Sequence, residues 1–149
     1  MIQRKQTLFL IELIFLGLSL LFVPCQTILT KTSATNIYLM PLEAFQSTTG
    51  HLAAVILNFI SIVLATFTIF SFKKRELQVK LCYVQLILWV VVTAMMLLCP
   101  FVVQTETILE VQKHYFIIAI GAFAVIAAYM AAHFIKKDIE LLKSADRIR

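Results

Sequence analysis

Hydrophobic positions fall into four long runs, at about residues 7–27, 51–72, 80–101 and 115–135, separated by polar, charge-bearing stretches. Each run reaches the roughly 20 apolar residues that a helix needs to cross a hydrocarbon core. Helices are the expected spanning form, because lipid offers no partner to an unpaired backbone N–H or C=O. The ten-residue alternating segments of a membrane barrel are absent from the pattern. Two connections, about 28–50 and 102–114, alternate apolar and polar residues rich in Thr, Val and Ile. That is a weak strand signal, compatible with a small hairpin or sheet, with a short interfacial helix as the alternative. The connection KKRELQVK is short, so the second and third runs are expected to be antiparallel neighbours. The predicted fold is an all-α, four-helix transmembrane bundle in a single integral membrane domain, residues 1–149, with a helical tail over 136–149.

Composition agrees with lipid as the solvent. The chain is 61% hydrophobic and 14% charged, with a mean hydropathy of +0.94, where a soluble domain carries about a quarter charged residues. The net charge of +5 does not mark a nucleic-acid protein, because the basic residues flank apolar runs and form no soluble basic face. Their placement carries topology instead. Arg4, Lys5, Lys73, Lys74, Arg75, Lys80, Lys136, Lys137, Lys143, Arg147 and Arg149 fall on one side of the four runs, and only Lys31 and Lys113 on the other. The positive-inside rule then puts both termini in the cytoplasm, the two long connections outside, and the protein in a cytoplasmic (inner) membrane. The basic start and apolar first run also fit a cleaved signal peptide. No A-x-A-like site precedes Cys25, however, and Pro24 disfavours lipoprotein-type cleavage there.

Within the runs, small and polar residues recur at helical spacing. His51, Ala54, Asn58, Ser61, Ala65 and Thr68 alternate steps of three and four along the second run, and so share one face. Small residues allow close helix approach in lipid, and polar ones hydrogen-bond across the seam. Gly121, Ala124, Ala128 and Ala131 make a second seam in the fourth run, without polar atoms. The third run presents Cys82, Gln85, Trp89, Val92, Met96 and Cys99 on one face. Glu12 interrupts the first run, and an ionisable residue at such depth is by default a site hypothesis. Glu12, Asn58, Gln85, Tyr129 and His133 are the candidate intramembrane polar cluster. For Glu12 itself the favoured role is a helix-end clamp, leaning back toward Lys5 and the headgroups.

Cys25 and Cys99, each beside a proline near the outer ends of their runs, are candidates for a disulfide in an oxidising compartment. The C-x-x-C pairing of a thiol relay is absent, as are metal-ligand spacings, a nucleophile–base arrangement and a phosphate loop. The expectation is a protein that is not an enzyme and needs no cofactor. In the tail, Ile135, Ile139, Leu142 and Ala145 form an apolar stripe beside Lys136, Lys137, Lys143 and Arg147. Such a helix suits a headgroup surface or, given Asp138, Glu140 and Asp146, a cytosolic protein partner.

The opening MIQRKQTLFL, the central FKKRELQVKLC, the IGAF at 120–123 and the ending KKDIELLKSADRIR resemble, taken together, an uncharacterised family of small four-span membrane proteins from Bacteroidota, domain of unknown function 4293. Ala124 and Val125 stand where its members often carry a proline. The resemblance implies four helices in an inner membrane of a bacterium and brings no reaction, ligand or catalytic residue. The leading expectation is therefore a structural or accessory protein that binds the bilayer and membrane or cytosolic partners, the latter through 136–149. A small transporter or ion-coupled protein using the polar cluster is the alternative, and thiol redox work through Cys25 and Cys99 a distant third.

Overall fold

A computed structural model describes residues 3–30, 34–39, 49–98 and 108–146. It contains four helices: α1 (Gln3–Phe22), α2 (Thr49–Phe70), α3 (Arg75–Leu98) and α4 (Phe116–Asp146). All four are long and apolar enough to cross a membrane. The helices follow one another around a square, each packed on two neighbours, and α4 closes the ring against α1. Between α2 and α3 the chain reverses over Ser71–Lys74, where Lys74 N–H donates to the Ser71 carbonyl at 3.0 Å. At ~1.5 Å per residue α1 is about 30 Å long and α4, with 31 residues, about 46 Å. The fourth helix thus outruns a ~30 Å hydrocarbon core, and its last three turns are the expected tail, continuous with the span.

The bundle is not purely helical, which corrects the all-α expectation. Strands β1 (Pro24–Thr30), β2 (Ala34–Tyr38) and β3 (Ile108–Lys113) form an antiparallel sheet in the order β2–β1–β3. The first helix stops at Phe22, so residues 24–27, apolar enough to join the first run, belong to β1. Pro24 has no N–H to continue a helix and suits the first position of a strand. Alternation then decides the faces: Gln26 and Ile28 are buried toward the helices, and Thr27 turns outward, its hydroxyl donating to Asn36 Oδ1 at 2.7 Å and lying 2.9 Å from His114 Nε2.

Three side chains bolt the sheet to the helix ends. Gln26 Nε2 donates to the Met96 carbonyl (3.1 Å), Lys113 Nζ to the Leu97 carbonyl (2.6 Å), and His51 Nε2 to the Tyr38 carbonyl (3.0 Å). Met96 and Leu97 lie in the last turn of α3, whose carbonyls have no partner inside the helix. The sheet therefore caps α3 while closing one end of the bundle. The other end carries Lys73, Lys74, Arg75, Lys136, Lys137 and Lys143, and is called the basic end below.

The two small-residue seams lie inside. Ala54, Ser61, Ala65, Thr68, Gly121, Ala124, Ala128 and Ala131 are all buried. Among the described residues, the outer surface is built from large apolar side chains such as Phe15, Phe22, Val63, Phe67 and Ile87. Large apolar side chains such as Leu10, Leu13, Trp89 and Ile135 fill the interior beside the seams, and the small and polar seam residues let the helices approach and bond across them in lipid.

Candidate functional site: a polar plug at the basic end

Interior side-chain amides follow one rule in this bundle: each donates to a backbone carbonyl on another element. Asn58 Nδ2 on α2 reaches the Gly17 carbonyl of α1 at 3.1 Å. Gln85 Nε2 on α3 reaches the Ser61 carbonyl (3.0 Å) and hydroxyl (2.6 Å) of α2. Two turns away on the same two helices, Gln78 Nε2 reaches the Thr68 carbonyl at 2.8 Å, in the last turn of α2. A helix carbonyl has a second lone pair free for such a bond. These contacts stitch neighbours together, at about 0.6–2 kcal/mol each in lipid.

The stitching culminates in a carboxylate. Asp138, 4% exposed, lies on α4 where Gln6 Nε2 of α1 donates to Oδ2 and, at 3.3 Å, to the Phe134 carbonyl. Arg75, at the start of α3, places Nη1 3.7 Å from the same Oδ2. Among the described residues this is the only ion pair. Side chains from α1 and α3 thus converge on one oxygen of α4, while Asp138 Oδ1 is buried with no hydrogen-bond partner among the described residues. A pocket of about 400 Å³ opens beside the plug, lined by Gln6, Thr7, Arg75 and Gln78 with Leu10 and Phe70 as apolar walls. Deeper in the bundle Asn58 Oδ1, Gln85 Oε1 and Trp89 Nε1 are likewise buried without such partners. Asp138 is an acceptor with spare capacity facing a fixed cation; its chemistry is to hold Arg75 and to accept a further hydrogen bond or a proton.

The five residues of the expected polar cluster do not come together. Asn58 and Gln85 are buried in the bundle, whereas Glu12, Tyr129 and His133 lie on its outer surface. Glu12 makes no hydrogen bond or ion pair among the described residues, so the expected clamp to Lys5 is not formed. The cause is helical phase. Gln6, Leu10, Leu13, Gly17 and Leu20 occupy the inner face of α1, and Glu12 is turned about 100° from Leu13. His133 packs edge-on against Phe134, which stacks on Phe9 of α1 at 5.6 Å. Lys136 swings to α3, donating to the Tyr83 hydroxyl (2.9 Å) with its ammonium 5.0 Å from the ring centre. The proposed Cys25–Cys99 bridge involves a residue outside those described; Cys25 itself is buried in β1.

Gln6 and Gln78 are not among the candidates that the sequence pattern offers, and Asp138 is counted there only with the tail, although the signal for Asp138 and Gln78 is present. Asp138 continues the small-residue seam at the same spacing, through Ala131 and Ile135. Gln78 stands one turn before Cys82 on the interior face of α3. Among the described residues no group of three His, Cys, Asp or Glu side chains is placed to hold a metal ion. No curated protein and no solved structure matches the chain. A family model does match, over residues 2–148, and the protein belongs to that family, a domain of unknown function (DUF4293).

Proposed function

We propose that this is a non-enzymatic accessory protein of the cytoplasmic membrane, with both termini cytoplasmic, that binds another membrane protein through the outer face of α1. One observation carries the reading: interior amides are committed to backbone carbonyls, whereas the carboxylate of Glu12 points out of the bundle. Glu12 stands seven residues beyond Lys5, about 10 Å along the helix, on a face made of Leu8, Ile11, Phe15 and Leu18. A charged group there is costly against lipid, and a facing helix with a hydrogen-bond donor removes the cost. The extension of α4, with Leu141 exposed, offers a second contact for cytosolic partners.

A photoreactive amino acid in place of Phe15, one turn from Glu12, tests this in native membranes. The expected result is a discrete cross-linked product with a second membrane protein, retained in Glu12→Gln and reduced at least threefold in Glu12→Leu. Lipid adducts alone, insensitive to both substitutions, overturn it. The second reading, an ion-coupled protein, draws on the spare acceptor Asp138 Oδ1 and the unpartnered Asn58, Gln85 and Trp89 atoms. Purified protein in liposomes with a trapped pH dye is expected to leak protons no faster than empty liposomes. A flux removed by Asp138→Asn would replace the accessory role with this second one.

A further inference from the structure

The basic end holds a second feature that the accessory role does not use. A groove of about 640 Å³ runs between the α2–α3 turn, the first two turns of α3 and the extension of α4. Lys73, Lys74, Arg75, Lys80 and Lys143 surround it, with Glu76 as the one carboxylate among its lining residues. Its floor is apolar: Ile139 is partly buried, and Leu77 and Leu142 are 38% and 49% exposed. Two stretches far apart in sequence, 73–80 and 139–143, thus bring five cations around greasy side chains at the level where the spans end.

The chemistry of that combination is specific. A soluble anion would use the cations and gain nothing from the leucines. A lipid supplies a phosphodiester to the cations and glycerol and acyl carbons to the floor. One phosphodiester is met by one or two cations, and five of them around one groove leave room for two. Arg75 gives the site a fixed point. Its Nη1 is tied to buried Asp138, and its side chain is 28% exposed, so the rest of the guanidinium fork is held in place to take phosphate oxygens in parallel. The lysines are longer-reaching point charges around it.

We infer that this groove binds an anionic phospholipid carrying two phosphodiesters, of the diphosphatidylglycerol type, in the leaflet at the basic end. The site is independent of the α1 contact: loss of one leaves the other in place.

Native mass spectrometry of the full-length protein tests it, with diphosphatidylglycerol, phosphatidylglycerol and phosphatidylethanolamine offered at matched phosphate. The expected result is retention of diphosphatidylglycerol at least tenfold above the other two. Lys80→Glu/Lys143→Glu is expected to lower that retention at least tenfold. Lys80→Arg/Lys143→Arg and the control Lys5→Gln, outside the groove, should leave it unchanged. Should the charge-reversed protein melt early, Lys73→Gln/Lys74→Gln in the exposed turn is the substitute, with an expected loss of about fivefold. Equal retention of phosphatidylglycerol would reduce the groove to general surface attraction and overturn the inference. Unchanged binding in the reversed variants, or displacement of the lipid by millimolar inorganic pyrophosphate, would overturn it too, the latter by assigning the groove to a soluble anion.

Discussion

Gly121→Leu is expected to abolish assembly of the bundle, and Gly121→Ala to cost about 1–3 kcal/mol, the usual range for overpacking a close contact. An added Cβ at this position would overlap the side chain of Thr93 on α3, meeting its Oγ1 first and its Cγ2 at 2.7 Å. The Thr93 Cβ stands only 3.0 Å away, so rotating the side chain does not clear the space. Without a hydrophobic drive between helices in lipid, the contact depends on closeness itself, and pushing α3 from α4 loses dispersion along the whole seam. Thr93→Ala removes both nearest atoms and forfeits only a local bond from its hydroxyl to the Trp89 carbonyl at 2.8 Å. The pair Gly121→Ala/Thr93→Ala should therefore recover at least half of the single-substitution loss. Thermal melting of the four proteins in one detergent completes the cycle. A Gly121→Ala protein that melts with wild type, or is indifferent to Thr93, removes the close approach from the account. Gly17→Ala is the milder analogue, since the Ile62 Cγ1 it would meet at 2.7 Å ends in a mobile Cδ1.

The interior of this fold was readable wherever one helix face sufficed. His51 to Thr68 on α2 announced a buried stripe by spacing alone, and all six residues are buried. Asp138 shows where category overrode phase. Grouped with Glu140 and Asp146 as an acidic residue of the tail, it is separated from Glu140 by burial, because three residues beyond Ile135 returns the chain to the inner face. Glu12 shows the reverse: its place along the axis is a count from Lys5, but a position next to Leu13 falls on the outer side of α1. Depth is a count along the axis, whereas partnership depends on angle, and one residue changes the angle by about 100°. The sheet exposes a different limit. Alternation marked both outer connections as strand-like, but the pairing of Gln26 with Lys113 joins residues 87 positions apart, which no local pattern encodes. Hydropathy also merged Pro24–Thr27 with the first span, since an edge of helix and a buried strand are equally apolar.

The other end of the same α3–α4 seam carries the second large effect. Thr93 faces Gly121 and Arg75 faces Asp138, so one antiparallel register runs from the glycine contact to the ion pair. Asp138→Leu is expected to destabilise by about 2–4 kcal/mol, toward the lower part of the range for breaking a buried pair, because water reaches the partly exposed Arg75. The substitution strands a guanidinium on α3 and takes from the Gln6 amide its carboxylate partner, leaving it the Phe134 carbonyl. Asp138→Asn keeps an acceptor for Gln6 and loses only the charge, so about 1 kcal/mol is expected. Arg75→Leu/Asp138→Leu should return to within about 1 kcal/mol of wild type, since removing both charges also removes the desolvation that each imposes. Melting in detergent micelles measures all three. Lipid retention separates stability from use: the double leucine protein should fold and yet bind diphosphatidylglycerol several-fold more weakly, because its fixed guanidinium is gone. A double variant as unstable as Asp138→Leu would mean that Asp138 serves Gln6 and α1 more than Arg75, making the plug a joint between α1 and α4. The sign of that one comparison decides whether the buried carboxylate closes the bundle or holds an arginine ready for phosphate.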